Sequence, residues 1–539
     1  MKAIKNITYL LLSTTLFVGC SKDFLDEDTS GFQAPNNTYT TTNGFETGLT
    51  GLYAFARLEF HTWNNDFFSQ GATPQEALQV GTDIVAIKQT GTDATLAPFS
   101  NYTLNPTSSY VRNYWKFAYG LIGNSNLILS ALDNPNIQWK DADQDPKRVR
   151  ATAEFFRAYA YRYLVSLYGD VPWVDKVSEL PRTDFTRAPK QEVIQNMIAD
   201  FKYAAENLPE NPGSVEDGKL TKWAAYHYLA EAYLWANKPD SAIIAAQAVI
   251  NAPYFSLNNQ RFGVEKDLSG DYFHDMFIEK NQNRKSGNQE TIWAIQLEYN
   301  SQGGGDLYTD WSKRAWVPFY AQQTGFLLAD SLGGRGLGHI RPYEWWLNSY
   351  EVQDVRNSEY NIKRDWYHND PKSPLYGTKL NITEQIKESG NVFATTTKFF
   401  YGKTADNPAF EGNMKDRVKI RLAETYLLLA EAYLQKNDPA SAASTINVVR
   451  ARAKATPVLA SQVNIDYLLD ERARELLGEE MRRMTLSRFG KTVFLDRVKR
   501  LNTQSKDAIK DGNELWPIPQ EVIDANSGAD FPQNIGYNN

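Results

Sequence analysis

Apolar residues recur at three- and four-residue intervals over long stretches of this chain, which predicts amphipathic helices and few strands. A stripe of Phe155, Tyr159, Tyr163 and Leu167 runs at i, i+4 spacing and is closed by Gly169 and Pro172, a helix with its stop signal. Lys190 to Leu208 carries Val193, Met197, Phe201 and Ala204 on one face, and Tyr114 to Leu132 predicts a further helix. The aromatic residues on these stripes are read as core packing.

The pattern also repeats itself. Leu229-Ala230-Glu231-Ala232-Tyr233-Leu234 returns as Leu429-Ala430-Glu431-Ala432-Tyr433-Leu434. Asn237, Pro239, Ser241 and Ala242 return as Asn437, Pro439, Ser441 and Ala442, making ten identities in fourteen positions. Small Ala beside large Tyr, a turn at Asn-x-Pro and a second Ala-rich helix is the logic of a tetratricopeptide (TPR) hairpin, in which alanines let two helices approach closely. Between about residues 251 and 415 the helical period fades into Gly, Asn, Asp and aromatic residues, as in Gly303-Gly304-Gly305-Asp306 and the Gly333 to Gly338 run. A hairpin returns at Arg421 to Arg452, so the loop-rich stretch is inserted between repeats expected to pack together. The expected fold is mainly α, with TPR-like helical hairpins and an inserted loop-rich, aromatic-rich lobe.

The N-terminus changes the picture of where such a fold works. Lys2 and Lys5 precede an apolar stretch from Ile7 to Val18, followed by Gly19 and Cys20, the outline of a secretory signal. The stretch falls short of the roughly 20 apolar residues a spanning helix needs, so removal after export is expected. A small residue before the single cysteine of the chain resembles the bacterial lipobox, in which that cysteine is acylated; Leu16 stands one place further from Cys20 than the usual lipobox leucine, and Phe17 fills that place. A buried free thiol is the alternative, but a lone thiol in an exported protein has no disulfide partner. Asp23, Asp26, Glu27 and Asp28 follow and look like the acidic tag of surface-exported lipoproteins. Removing Lys2 and Lys5 takes the formal charge from −7 to −9 (−7 − 2 = −9). Nucleic acid and anionic membrane surfaces are poor partners for such a chain.

Two C-terminal strings carry a family resemblance. Arg472-Ala473-Arg474-Glu475-Leu476-Leu477-Gly478-Glu479-Glu480-Met481-Arg482-Arg483, continued by Leu486-Ser487-Arg488-Phe489-Gly490, resembles the signature of the SusD/RagB family; Thr485 stands where the family often has Asp. Leu515-Trp516-Pro517-Ile518-Pro519 with Asn526, Gln533, Asn534, Gly536 and Tyr537 resembles the family's closing segment. Upstream, Arg157-Ala158-Tyr159, Tyr168-Gly169-Asp170-Val171-Pro172 and a helix over Phe45 to Tyr53 resemble it at matching intervals. The resemblance implies a SusD-like fold and a non-catalytic lipoprotein on the outer face of the outer membrane. Such a protein captures oligo- or polysaccharide and passes it to a SusC-like TonB-dependent transporter. On this reading the chain divides into a signal peptide (1–19), a lipidated tether (20–40), an N-terminal helical TPR region (41–250), a loop-rich ligand-binding lobe (251–415) and a C-terminal region with the last TPR-like hairpin (416–539). The Arg and Glu residues of the signature are read as i, i+3 and i, i+4 pairs on one helix, with Glu479 and Glu480 pointing apart.

Catalytic motifs are not evident. The five histidines are scattered without metal-ligand spacing, and the Gly333 to Gly338 run lacks the Lys-Ser/Thr of a phosphate-binding loop and reads as a turn. A glycosidase needs two carboxylates facing one bond, which adjacent Glu479 and Glu480 do not supply. Nothing in the residues calls for a cofactor, and they do not decide whether a calcium supports a loop.

Sugar binding needs aromatic platforms for the C–H faces of pyranose rings, with a polar rim for the hydroxyls. Six tryptophans (Trp293, Trp311, Trp316, Trp345, Trp346, Trp366) fall in the loop-rich segment, where loops can expose them. One platform burying about 100 Å² contributes about 2.5 kcal/mol, less than the cost of association, at least about 4 kcal/mol. Several must act together. Tyr308, Trp311 and Trp316 are the expected platforms, flanked by Asp306, Asp310 and Lys313, with Trp63 and Asn64 as a second contribution. Pro342 to Tyr350 can form a helix that buries Trp345 or Trp346. A peptide-capturing RagB-like member and a TPR scaffold remain alternatives, which glycan and peptide binding assays would separate.

Overall fold

The computed structural model describes residues 35–60, 74–89, 96–178, 180–298, 310–402 and 410–537. Its first half is a stack of antiparallel helices. Helix α1 (Thr42–Arg57) starts at Thr41, whose hydroxyl accepts the N–H of Gly44, and buries Phe45, Leu49, Leu52 and Ala56 along one stripe. It packs on α2 (Ser109–Ala131) and α3 (Asp145–Leu167). The start of α2 at Ser109 lies upstream of the expected Tyr114, with Ser108 as the N-cap, its carbonyl accepting the N–H of Arg112. α3 lies between α2 and α4 (Lys190–Asn207) and is therefore buried on all faces over its second half, including the predicted Phe155, Tyr159, Tyr163 and Leu167. Gly169, with φ +76, ends it.

The repeated sequences form two helical hairpins, α5 (Lys222–Trp235) with α6 (Pro239–Ile250), and α7 (Leu422–Gln435) with α8 (Pro439–Arg452). The two turns share their backbone bonding, and Asp438 alone adds a side-chain cap, to the N–H of Ser441. Asn237 and Asn437 both adopt positive φ, +53 and +56. Their N–H groups donate to Leu234 O and Leu434 O, and the next residues donate to Tyr233 O and Tyr433 O. α6 packs against α7, with Leu234, Ala242, Leu428 and Ala432 forming a shared cluster.

The inserted stretch leaves and returns through one ladder. Strand β2 (Thr291–Ile295) pairs antiparallel with β6 (Arg417–Arg421), Thr291 opposite Arg421 and Ile295 opposite Arg417, and β6 runs directly into α7. Two other short pairs, β1 (Val85–Ile87) with β3 (Ile340–Pro342) and β4 (Ile362–Lys363) with β5 (Thr395–Thr396), tie the lobe together. Among the described residues no helix is long and apolar enough to cross a membrane.

The signature charges do not pair as their spacing suggests. Along α9 (Ile465–Leu476) only Arg474 with Glu471 is an i, i+3 pair; apart from the contacts of Glu480 with Arg472 and Arg482, the other partners come from outside the signature. Glu475 meets Arg356, Arg421 and Arg452, Glu479 meets Arg421 and Lys398, and Arg472 meets Glu424 and Glu480. Glu479 and Glu480 do point apart, but they lie beyond the end of α9. In α10 (Arg482–Arg488) Arg482 pairs with Asp83, which Arg497 of α11 (Lys491–Leu501) shares. These charges are buried, and burial is tolerable because each has several partners. The closing segment is pinned likewise: Trp516 N–H donates to Leu167 O at 2.6 Å, and the Asn534 amide donates to Tyr168 O and Trp516 O.

Candidate functional site

Two of the expected platforms are core residues. Trp311 is 4 % exposed, with the Arg314 guanidinium 4.2 Å over its ring. Trp316 is 3 % exposed and stacks on Phe399 at 5.1 Å and 15°. Trp316 ends a short helix, Ser312–Trp316, that Trp311 precedes as its N-cap and that β3 and the Thr397–Phe399 turn cover, so neither can offer a face to a sugar. Flanking Asp310 and Lys313 are also buried: Asp310 pairs with Arg417 at 2.5 Å, and Lys313 donates to Phe410 O at 2.6 Å. Trp293 and Trp366 of the loop-rich segment are buried as well; Trp346 is buried in the Glu344–Leu347 helix, within the stretch expected to form a helix that buries one of the pair, and half-buried Trp345 donates to Asp83 O. Cys20, Trp63, Asn64, Asp306 and Tyr308 lie outside the described residues. Their described neighbours meet, however. Arg417 joins Asp310 to the ring of Phe60 (5.7 Å), and the Asn413 N–H donates to Asp310 O.

Beside this junction the loop-rich lobe opens a cleft of about 700 Å³, within the range of ordinary ligand sites. Phe277, Tyr360 and Phe400 present half-buried rings in it, and Glu265, Glu279, Asp330 and Glu359 supply carboxylates beside Lys280 and Lys363. This is the platform-and-rim chemistry a pyranose needs, on residues the sequence reading passed over.

Three polar groups, Asp271, Thr397 and Lys415, hold the walls in place. Asp271 caps the Tyr272–Asp275 turn through the N–H groups of Phe273 and His274, while Ser358 Oγ and Asn361 Nδ2 donate to its other oxygen at 2.6 and 3.0 Å. It thereby joins the Phe277 wall to the Tyr360 wall. Thr397 N–H donates to Asn361 O, and the Thr397 hydroxyl to Tyr360 O, bringing in the third wall. Lys415 is fully buried and donates to Phe277 O, Lys398 O and Phe400 O at 2.7, 2.8 and 2.9 Å. Burial, with the Arg417 guanidinium nearby, outweighs the carboxylates of Asp310 and Glu279 and pushes its pKa down to about 7. The fourth wall needs glycine: Gly333 (φ +88) and Gly334 (φ +76) turn the chain after Asp330, and a Cβ on them would come within 2.8 Å of the Phe400 ring and Tyr401 O. The Gly333 to Gly338 run is thus a turn, as its composition suggests. Burial lowers the pKa of His274, which stays a neutral imidazole tilted against Tyr360 at 6.2 Å.

Other cavities fit less well. A groove of about 550 Å³ between Trp115, Tyr119, Phe185 and Phe531 has few polar groups to meet hydroxyls, and a cavity beside Lys398 and Arg417 holds only about 40 Å³. Among the described residues no three His, Cys, Asp or Glu side chains converge as a metal site requires.

Comparison with known proteins matches residues 289–537 to the model described as the SusD family, and residues 59–234 to one described as starch-binding associating with outer membrane. The SusD-like protein P2 of Formosa agariphila is 28 % identical over the full length of both chains. The starch-binding protein SusD of Bacteroides thetaiotaomicron is 22 % identical over 73 % of this chain and 74 % of its own. Among solved structures, the surface glycan-binding protein A of Bacteroides thetaiotaomicron in complex with laminarihexaose superposes with a TM-score of 0.70 at 19 % identity, covering 92 % of this chain and 100 % of that one. A laminarin-binding SusD-like protein gives 0.68 at 21 % identity, covering 92 % and 99 %.

Proposed function

The chain belongs to the SusD family, and from that premise we propose that it is a glycan-binding lipoprotein of the cell surface that captures oligo- or polysaccharide and delivers it to a SusC-like TonB-dependent transporter in the outer membrane. The observation that carries the binding reading is the cleft of three aromatic rings with a charged and hydroxyl-bearing rim. Its walls come from the lobe that also holds Asp306 and Tyr308. Trp63 stands three residues beyond Phe60 and Tyr308 two before Asp310, both of which Arg417 engages beside the cleft. We therefore retain Trp63, Asn64, Asp306 and Tyr308 as proposed contacts and drop Trp311 and Trp316. Cys20 is the proposed lipid attachment.

Binding proceeds without hydrolysis on this reading. A glycosidase needs a carboxyl that keeps its proton near neutrality. Guanidinium partners overcome burial and hold Glu231 and Glu471 at about 2, whereas burial raises Glu290 and Glu424, but these face arginines in the core and neither lines the cleft.

The test is affinity measurement on a glycan array and a peptide library with Tyr360→Ala and Phe400→Ala variants. The reading expects glycan hits, no peptide hits, and a loss of at least about tenfold in the variants at an unchanged thermal midpoint, the scale of one aromatic platform. Peptide hits alone would point to the RagB-like alternative.

A further inference from the structure

We infer that Glu479 of the C-terminal signature is a positioning residue of the cleft, fixing two of its three aromatic rings through the Lys398 ammonium. The inference rests on the reading of the cleft as a glycan site and deepens it to the residues that shape that site. Glu479 does not line the cleft itself. Lys398 stands in the chain between two residues of one wall: Thr397, tied to Asn361 and Tyr360, and Phe400, whose N–H donates to Thr397 O. Its buried Nζ lies 4.9 Å from the centre of the Phe277 ring on another wall, a cation–π contact. One ammonium thus touches the first ring and carries the second on its own stretch of chain.

That ammonium is held from the signature. Nζ donates to Glu475 O at 2.9 Å and to one carboxylate oxygen of Glu479. The other Glu479 oxygen takes Arg421 Nε at 2.6 Å, where β6 enters α7. Gly478 permits the approach: at φ +74 it lies so close to Phe399 that a Cβ would come within 2.6 Å of the ring. The turn that carries Glu479 is therefore seated against the residue between Lys398 and Phe400. A buried ammonium that loses its carboxylate is left uncompensated and shifts toward other acceptors, taking its backbone with it. A site whose supporting contacts are loose binds weakly even with every contact residue present. Glu480, the next residue, is also buried, but it turns to Arg472 and Arg482. The two glutamates are alike in charge and differ in what they hold.

The experiment compares Glu479→Gln with Glu480→Gln in the purified protein, well below the thermal midpoint of each. Affinity is read by calorimetry with the oligosaccharide that the wild type binds most tightly on a glycan array, and hydrogen–deuterium exchange is followed without glycan over residues 395–400. Both variants should lower the midpoint. Glu479→Gln should weaken binding at least about tenfold, the scale of one displaced platform, and speed exchange over residues 395–400. Glu480→Gln should bind as the wild type does and leave exchange there unchanged. If Glu479→Gln does not fold, Lys398→Met, which removes the other end of the pair, is read in the same way. Wild-type affinity in the variant that cuts the pair overturns the inference and leaves glycan binding standing. An equal loss in Glu480→Gln, or weakened binding with exchange over residues 395–400 unchanged, also overturns it. If the wild type binds no glycan, the functional reading itself fails and takes the inference with it.

Discussion

Glu231 and Glu431 occupy the same position in the two helical repeats and are joined through one guanidinium. Arg488 places Nη1 2.9 Å from Glu231 and Nη2 2.8 Å from Glu431, with Nε on the second carboxylate. Arg162 holds the other oxygen of Glu231 at 2.6 Å. The two hairpins are therefore clamped electrostatically as well as packed.

Removing the clamp should be costly. Arg488→Ala leaves two buried carboxylates short of a partner, a situation that costs about 3–5 kcal/mol. Thermal unfolding followed by circular dichroism should show a markedly lower midpoint, with partial recovery when Glu431→Gln is added. A midpoint within a degree of wild type would show the clamp to be dispensable.

Acid should act on the same region in two stages. Burial lowers the pKa of His227 to about 3, so the unfolded chain takes up that proton first and stability declines as pH falls below the ordinary histidine value of about 6.5. The arginines hold Glu231 at about 2 against burial; its share is fully present above its ordinary 4.5 and is lost as pH falls from there through about 2. Midpoints measured from pH 8 to pH 3 should fall gently from about 6.5 and steeply below about 4.5, and His227→Gln should flatten the gentle arm. A flat wild-type profile between pH 7 and 5 would remove the histidine from the account.

Trp316 tests burial against exposure. Trp316→Ala deletes a ring stacked on Phe399 in the core and should cost about 3–5 kcal/mol of stability. Differential scanning calorimetry reads the loss. A full-stability variant with weakened glycan binding would restore Trp316 as a platform.

Lys415 should matter for binding without touching the ligand. Lys415→Met keeps the length of the side chain but leaves three wall carbonyls without their donor, each worth about 1–3 kcal/mol when unsatisfied. Glycan affinity should fall together with the thermal midpoint. Separation of the two, with affinity intact in a destabilised variant, would mean that the walls do not depend on it.

Anchoring is tested by Cys20→Ala. The variant should lose palmitate label and move from the membrane to the soluble fraction. A variant still labelled and membrane-bound would exclude acylation at Cys20.

The helical architecture was legible along the chain because it is local. Apolar spacing places the stripe of α3, and the Asn-x-Pro turn needs only its own few residues to set Asn237 and Asn437 at positive φ. The family signature was legible for a similar reason, being one continuous string. What its charges pair with was not. Helical spacing pointed to neighbours, whereas Glu475 is surrounded by Arg356, Arg421 and Arg452 from three other segments. Trp311 and Trp316 failed as platforms on the same ground. Whether a loop tryptophan is exposed depends on what packs over it. Over Trp316 lie Phe399 and the turn at Gly478, which comes within reach because it lacks a Cβ. The cleft itself is assembled from four segments between Val264 and Gly402, none of which carries a period or motif. Periodicity reports which face of an element turns inward; it carries no information on which distant segments close over a loop, because that is settled by packing and by the pairing of buried charge across the whole chain.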